Sequence, residues 1–90
     1  MKWKLKSEHS LQLRCWGDEC VVYNDLSGDT HLVGSVGAQI LHILQRSPSD
    51  SALLNKSIAS FLNTEINDEL ILQLEQILMD FDKLALIERT

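Results

Sequence analysis

Hydrophobic and polar residues alternate along the first third of the chain. Trp3 and Leu5 are separated by lysines, which predicts a strand with one face in water. The same alternation runs from Leu11 to Trp16, and a β-branched and aromatic run follows at residues 20–23. Between these two runs lies a glycine-containing turn, so they are predicted to form a hairpin.

A further short strand is predicted at Thr30, His31, Leu32 and Val33. These residues follow a segment, 24–29, that is dense in turn-forming residues. Strands joined by short turns pair antiparallel. The first third of the chain therefore predicts a three-stranded antiparallel sheet, and its last strand is expected at the sheet edge.

The apolar spacing becomes helical after the third strand. A first helix is predicted over residues 35–46, with Ser35 as its N-cap. A proline two residues later cannot continue the helical hydrogen bonds and ends it. Ser49 or Asp50 is expected to cap a second helix that ends near Leu62.

The third helix has the clearest sequence signals. Asn67 is its predicted N-cap, and the acidic pair Asp68 and Glu69 lies at the positive end of the helix dipole. One apolar stripe follows at helical spacing: Leu70, Leu74, Ile77, Leu78, Phe81 and Leu84. Residues 85–87 are predicted to leave the helix as a short tail.

The order of strands followed by helices indicates an α+β fold. Ninety residues suffice for one domain, so residues 1–90 are predicted to form a single unit. With 44% hydrophobic residues, the chain has the composition of a globular protein. Three helices beside a small sheet favour a winged helix-turn-helix-like arrangement.

The charge balance disfavours binding to nucleic acid. Eight basic residues face thirteen acidic ones, for a formal net charge of −5. Nucleic-acid binders instead carry a basic face that neutralises phosphates. The predicted third helix has one lysine and five acidic residues. A winged-helix DNA-binding protein remains the alternative that a salt-dependent shift of duplex DNA in a gel would favour.

The sequence predicts a cytoplasmic protein without a membrane segment. No apolar stretch approaches the length of a transmembrane helix, and Trp3 and Leu5 alternate with lysines where a signal peptide would be apolar. In a reducing cytosol, Cys15 and Cys20 are expected to be reduced, partly buried thiols. Trp3 and Trp16 are expected to be core or half-buried residues.

Catalytic and metal-binding signatures are not recognisable in the sequence. The glycines are scattered, so they form neither a phosphate-binding loop nor a dinucleotide fingerprint. The three histidines, His9, His31 and His42, do not combine with the cysteines at metal-ligand spacing. The expectation is a non-enzymatic domain without catalytic residues, metal or cofactor.

Helix three has a second apolar face. Leu72 and Met79 fall opposite the main stripe on a helical wheel, together with Gln76 and Lys83. Isolated exposed apolar residues are common, so this face need not bind anything. The other interpretation is a contact with a peptide or with a second copy of the chain, and methionine suits adaptable contacts.

Two sequence stretches resemble a known family. The stretch WGDECVVYN at residues 16–24 precedes SGDTHLV at residues 27–33, and a helix begins near Ser35. This order resembles the PqqD-like proteins, and more narrowly the branch found beside HPr-kinase-related proteins (HPr-rel-A systems). That branch has WxxE-x-VVYN followed by SGDTHLL, so Val33 replaces a leucine here. The resemblance extends from Trp3 to about Ile87, by pattern only in the helical half.

This resemblance implies a fold of three strands followed by three helices and a non-catalytic role. PqqD-like domains are recognition elements, or peptide chaperones, for ribosomally made precursor peptides. The leader peptide pairs with the third strand, lies in a groove beside the third helix, and is presented to a modifying enzyme. In this branch the enzyme implied is an HPr-kinase-related protein.

Carried over to this sequence, the resemblance implies a two-part peptide site. The strand part consists of Thr30, His31, Leu32 and Val33. The helix part consists of outward or lateral positions of the third helix: Leu72, Gln73, Gln76, Met79, Asp80 and Lys83. The same helix face could serve a homodimer, so a structural protein that dimerises through Leu72 and Met79 is the remaining alternative.

Overall fold

Four strands occupy the described part of the first third of the chain, three helices follow, and a short strand comes after the last helix. The computed structural model describes residues 2–6, 11–25 and 28–90. Its elements are β1 (Trp3–Leu5), β2 (Leu11–Trp16), β3 (Glu19–Asn24), β4 (Thr30–Leu32), α1 (Ser35–Arg46), α2 (Ser51–Leu62), α3 (Asp68–Lys83) and β5 (Ile87–Arg89). His9 and Ser27, which the sequence analysis names, lie outside the described residues.

Strands β2, β3 and β4 form the predicted antiparallel sheet, in that order. The β2–β3 turn places Gly17 at φ 60°, with the pair Trp16–Glu19 closing the hairpin. Glycine at the first central position of a two-residue turn matches the right-handed twist of the strands. Together with the three helices, this sheet confirms the α+β fold. The winged-helix arrangement stays a prediction.

A second, two-stranded sheet was not predicted. Strands β1 and β5 pair antiparallel, with Leu5 opposite Ile87. Residues 85–87 leave the helix as predicted, since α3 ends at Lys83. They are not a tail, however, because Leu86 and Ile87 are both buried and Ile87 begins β5. The guanidinium of Arg89 lies 5.0 Å from the centre of the Trp3 ring, which is within cation–π range. The alternation at Trp3 and Leu5 predicted β1, but the pairing of β1 with β5 joins the two ends of the described chain, and no local sequence pattern indicates it.

Two of the three helix caps are as predicted. Asp50 accepts a hydrogen bond from the Leu53 N–H at 2.8 Å, and Asn67 accepts one from the Leu70 N–H at 2.8 Å. These side chains satisfy N–H groups that have no partner within the helix. The prediction for α1 is wrong by one residue: the N-cap is Gly34, and no side chain caps this helix.

The main core lies where the helices pack on the sheets. It includes the α1 residues Ile40, Leu41 and Leu44, the α2 residues Leu54 and Ile58, and the α3 residues Leu70, Leu74, Leu78 and Phe81. Trp3 is buried, as predicted, but Trp16 is 63% exposed. Its side chain lies on the face of β2 that points away from this core. Leu84, at the end of the predicted stripe, is also exposed.

Cys15 and Cys20 form a disulfide, so the prediction of two reduced thiols is wrong for this structure. They are directly opposite across the hairpin, with Cα atoms 4.0 Å apart. Sequence alone does not fix this register. In the structure the two cysteines form the pair next to the closing pair of a two-residue hairpin, where the side chains lie close together. None of the helices in the described ranges has both the length and the apolar character needed to cross a membrane.

Candidate functional site

A groove of about 700 Å³ separates β4 and the start of α1 from α3. Its walls come from three parts of the chain that are distant in sequence. The first part is Asp18 of the hairpin turn, and the second is the continuous segment 32–37 at the end of β4 and the start of α1. The third part includes Gln73, Ile77, Asp80, Phe81, Lys83 and Leu84. The groove lies beside the edge strand of the sheet, which determines what it can bind.

Among the described residues, strand β4 pairs with β3 on one side and with no strand on the other, because the sheet order is β2-β3-β4. The Val33 N–H donates to the Cys20 carbonyl at 2.8 Å. In an antiparallel ladder, bonded pairs alternate with non-bonded ones. His31 therefore belongs to the next bonded pair with β3, while Thr30 and Leu32 direct their N–H and C=O groups toward the open edge.

Side chains of β4 alternate between the two faces of the sheet. Leu32 is 72% exposed, on the outer face with Val21 opposite. His31 is half-buried and Val33 is buried, on the face that packs toward the helices. An extended chain added to this edge would place every second side chain toward the helices and thus over the groove.

Close contact between α1 and α3 forms the floor of the groove. A Cβ atom built on Gly37 would lie 2.9 Å from Cζ of Phe81 and 3.4 Å from Cβ of Val33. Phe81 and Val33 are both buried, although both also line the groove. Only glycine at position 37 leaves room for the ring in this position.

The groove face of α3 includes Gln73, Ile77, Phe81 and Leu84. These residues follow one another at helical spacing, so they lie on one side of the helix. Asp80 and Lys83 add charges of opposite sign along the groove. The result is an apolar floor with polar groups at its margin, which is typical of a site that binds an amphipathic chain.

The structure brings half of the predicted site residues together. Those that line the groove are Leu32, Val33, Gln73, Asp80 and Lys83. Thr30 and His31 lie on β4 but do not line it, and Thr30 directs its backbone to the open edge. The other three, Leu72, Gln76 and Met79, belong to α3 and also do not line it.

Helix register explains why half of the helix part is elsewhere. Leu72 is 66% and Met79 is 53% exposed, so the prediction of a second apolar face on α3 is confirmed as an exposed surface. This face differs from the one that lines the groove. Gln76 lies between Leu72 and Met79 in sequence. Its side-chain N–H donates to Asp80 Oδ1 at 3.1 Å.

Several groove residues were not predicted as site residues. Ile77, Phe81 and Leu84 were assigned to the core stripe of the third helix, although Ile77 is only half-buried. The stripe is wider than one packed face, and this width is the signal that could have identified them. Asp18 and the start of α1 reach the groove only through the fold, and the sequence contains no signal for them.

A second, smaller cavity of about 400 Å³ lies on the other side of α1. Its walls include both cysteines, Leu13, His42 and Phe61. Among the described residues, no group of three or more histidine, cysteine, aspartate or glutamate side chains is placed to hold a metal ion.

Comparison with known proteins adds no relative: no family model, curated protein or solved structure matches this chain. The function is therefore inferred from the geometry of the groove and from the sequence resemblance.

Proposed function

We propose that this chain is a non-catalytic recognition domain that binds a precursor peptide as an added strand on β4 and presents it to a modifying enzyme. The observation that carries the proposal is the open edge of β4 directly beside the groove. Edge addition needs an unpaired strand, and selectivity needs a pocket for alternate side chains. Both are adjacent in this molecule.

Backbone hydrogen bonds would provide much of the affinity. Thr30 and Leu32 each direct one donor and one acceptor away from β3. An extended peptide can satisfy these groups whatever its side chains are. The strand is short, so pairing alone predicts weak and unselective binding.

Side chains in the groove would provide the selectivity. Alternate residues of an added strand would lie over the floor made by Val33, Phe81 and Ile77. Burial of apolar surface contributes about 25 cal/mol per Å². Asp80 and Lys83 at the margin would favour a peptide that has charged residues flanking its apolar ones.

The resemblance to PqqD-like proteins supplies the partners in this proposal. It implies a ribosomally made precursor peptide as ligand and an HPr-kinase-related protein as the modifying enzyme. We place this interaction in the cytoplasm. Fractionation of cells that produce the tagged chain would test this location, and recovery outside the cytoplasmic fraction would contradict it.

A peptide titration followed by amide chemical shifts tests the function. The ¹⁵N-labelled chain is titrated with the precursor peptide encoded beside its gene, and with a scrambled peptide of the same composition as control. We expect shifts at Thr30, Leu32 and Ile77, and none at Lys56 on exposed α2. Absence of shifts along β4 and α3 at high peptide concentration would contradict the proposal.

Self-association is the second candidate, and it rests on the exposure of Leu72 and Met79 on one face of α3. Two such faces could cover each other in a homodimer. Sedimentation would compare the wild type with the Leu72→Glu/Met79→Glu variant. A wild-type dimer that the substitutions dissociate supports this candidate, and equal masses exclude this face as an interface.

A further inference from the structure

The Cys15–Cys20 disulfide lies at the exposed tip of the β2–β3 hairpin. Cys15 is exposed at the surface, whereas Cys20 is only 3% exposed. The two ends of the bond are thus unequally exposed, with residue 15 on the solvent side and residue 20 buried. All residues from 15 to 19 are exposed, so the hairpin tip has little packing of its own apart from this bond.

The same disulfide is connected to the groove through the backbone. The carbonyl of Cys20 accepts the Val33 N–H at 2.8 Å, and this bond fixes the end of β4. Val33 lines the groove, and so does Asp18 in the turn that the disulfide closes. The cross-link therefore restrains two parts of the groove wall, one on each side of Cys20.

We propose that Cys15 and Cys20 form a reversible thiol–disulfide site that controls how firmly β4 and the hairpin turn are held against the groove. Its effect on peptide binding rests on the proposed function, and its reversibility in cells rests on the proposed cytoplasmic location. The bond itself rests on neither. When the bond is closed, the hairpin tip and the end of β4 are fixed. When it is open, the exposed tip is released and β4 exchanges more freely with open states.

The chemistry is a two-electron exchange with a dithiol reductant. A thiolate of the reductant attacks Sγ of exposed Cys15, the S–S bond breaks, and Sγ of Cys20 leaves as a thiolate that takes up a proton. The second thiol of the reductant then displaces Cys15 from the mixed disulfide. The protein gains two thiols, and the reductant becomes a disulfide, so electrons and protons balance.

The proposed cytoplasmic location of the protein is consistent with a transient disulfide. Stable disulfides are rare in the cytosol, where those that form are usually catalytic or redox-sensing. The proposed cytoplasmic location therefore predicts that both forms are populated as the redox state changes. The exposure of Cys15 leaves one side of the bond open to attack by cellular dithiols.

Hydrogen exchange of the full chain, without any peptide, tests the redox site. The Val33 amide is followed in the oxidised protein and in the presence of dithiothreitol, with the Lys6 amide, which donates to the Leu86 carbonyl in the other sheet, as reference. We expect reduction to accelerate Val33 exchange by about tenfold or more, given typical disulfide contributions. The Lys6 rate should remain unchanged.

Two exposed positions on β2 provide matched variants. Cys15→Ser removes the bond without altering buried Cys20, so its Val33 exchange should be fast and insensitive to the reductant. Arg14→Ser changes the neighbouring residue but retains both cysteines, so it should respond like the wild type. Alkylation followed by mass spectrometry counts the free thiols in each sample.

Each result decides a separate point. Equal Val33 exchange in the oxidised and reduced forms, or cysteines that remain reduced at every dithiol-to-disulfide ratio, would overturn the proposed site. Peptide affinity is then measured for both forms, and we expect tighter binding to the oxidised one. Equal affinity would overturn the coupling to the groove, whereas a peptide that binds neither form would contradict only the proposed function.

Discussion

The phenyl ring of Phe81 occupies the space in which a side chain on Gly37 would stand. A Cβ atom at position 37 would lie 2.9 Å from Cζ of the ring, closer than packed carbon atoms normally approach. This contact joins α1 to α3 directly below the groove. The depth of the groove therefore depends on the absence of one methyl group.

Gly37→Ala is expected to push the Phe81 ring toward the groove. Overpacking costs about 1–3 kcal/mol, and alanine in place of glycine in a helix returns about 1 kcal/mol. We expect the free energy of unfolding to fall by about 1 kcal/mol and peptide affinity to decrease. Urea denaturation of Gly37→Ala and of Gly37→Ala/Phe81→Leu measures this. Replacing the Phe81 ring by the smaller leucine side chain should restore stability in the double variant. A Gly37→Ala variant that is more stable than the wild type would contradict the contact.

Leu32→Pro is expected to remove an outward backbone donor without breaking the β3–β4 ladder. Proline is tolerated at strand edges when its missing N–H faces solvent. The variant should fold and bind peptide more weakly than Leu32→Ala, which loses the side chain but retains the N–H. Calorimetric titration with the precursor peptide compares the two. Equal affinities would show that the edge N–H of Leu32 is not used.

His31→Pro provides the structural control for this experiment. The N–H of His31 belongs to the bonded pair with Val22, so proline there should destabilise the sheet itself. Thermal unfolding should show a clearly lower midpoint for His31→Pro than for Leu32→Pro. The reverse order would contradict the register of β4.

Leu74 and Leu72 are expected to respond very differently to the same substitution. Leu74 is 1% exposed in the core, whereas Leu72 is exposed two residues earlier on α3. Leu74→Ala should lower the free energy of unfolding by about 2–5 kcal/mol, and Leu72→Ala should change it by less than about 0.5 kcal/mol. Denaturant titrations of the two variants measure the difference, and comparable losses would contradict the orientation of α3.

Ala85→Gly is expected to stabilise the end of α3. Ala85 has φ 60°, and its N–H donates to the Asp82 carbonyl while the Leu86 N–H donates to Phe81. These two bonds define a Schellman motif, in which glycine is preferred at the left-handed position. We expect a gain of about 0.5–1 kcal/mol, because relief of about 1–2 kcal/mol exceeds the entropic cost of glycine.

The matched control is Ala52→Gly, on the exposed surface of right-handed α2. There the same substitution relieves no strain and should lower the melting temperature. A lower melting temperature for Ala85→Gly as well would contradict the left-handed conformation of residue 85.

Local chemistry made much of the fold predictable. Asn67 is followed by two acidic residues and an apolar stripe, and these signals act within one helix turn. The β2–β3 hairpin was equally clear as an element, because an alternating stretch and a β-branched run lie on the two sides of a glycine-containing turn. Its register came only from the structure. Ser35 was misassigned as a cap because a serine and a preceding glycine are both acceptable there, and only the backbone conformation separates them.

The candidate site was predictable in its strand and only partly in its helix. The resemblance and the turn before Thr30 located the edge strand. On α3, the sequence prediction includes Leu72 and Met79, because they are apolar residues outside the main stripe. The groove is instead lined by Ile77 and Phe81, which belong to the margin of the main stripe. No motif specifies how far a helix rotates about its axis when it packs.

The sequence by itself determined the segments of β1 to β4 and of the three described helices, where two of these helices begin, and the α+β class. These features depend on residues within a few positions of each other, so local periodicity and capping suffice. Only the tertiary structure decided the β1–β5 sheet, the Cys15–Cys20 disulfide and the groove below Gly37. Each of these requires the distance, register or rotation between packed elements, which depends on contacts that sequence patterns do not contain.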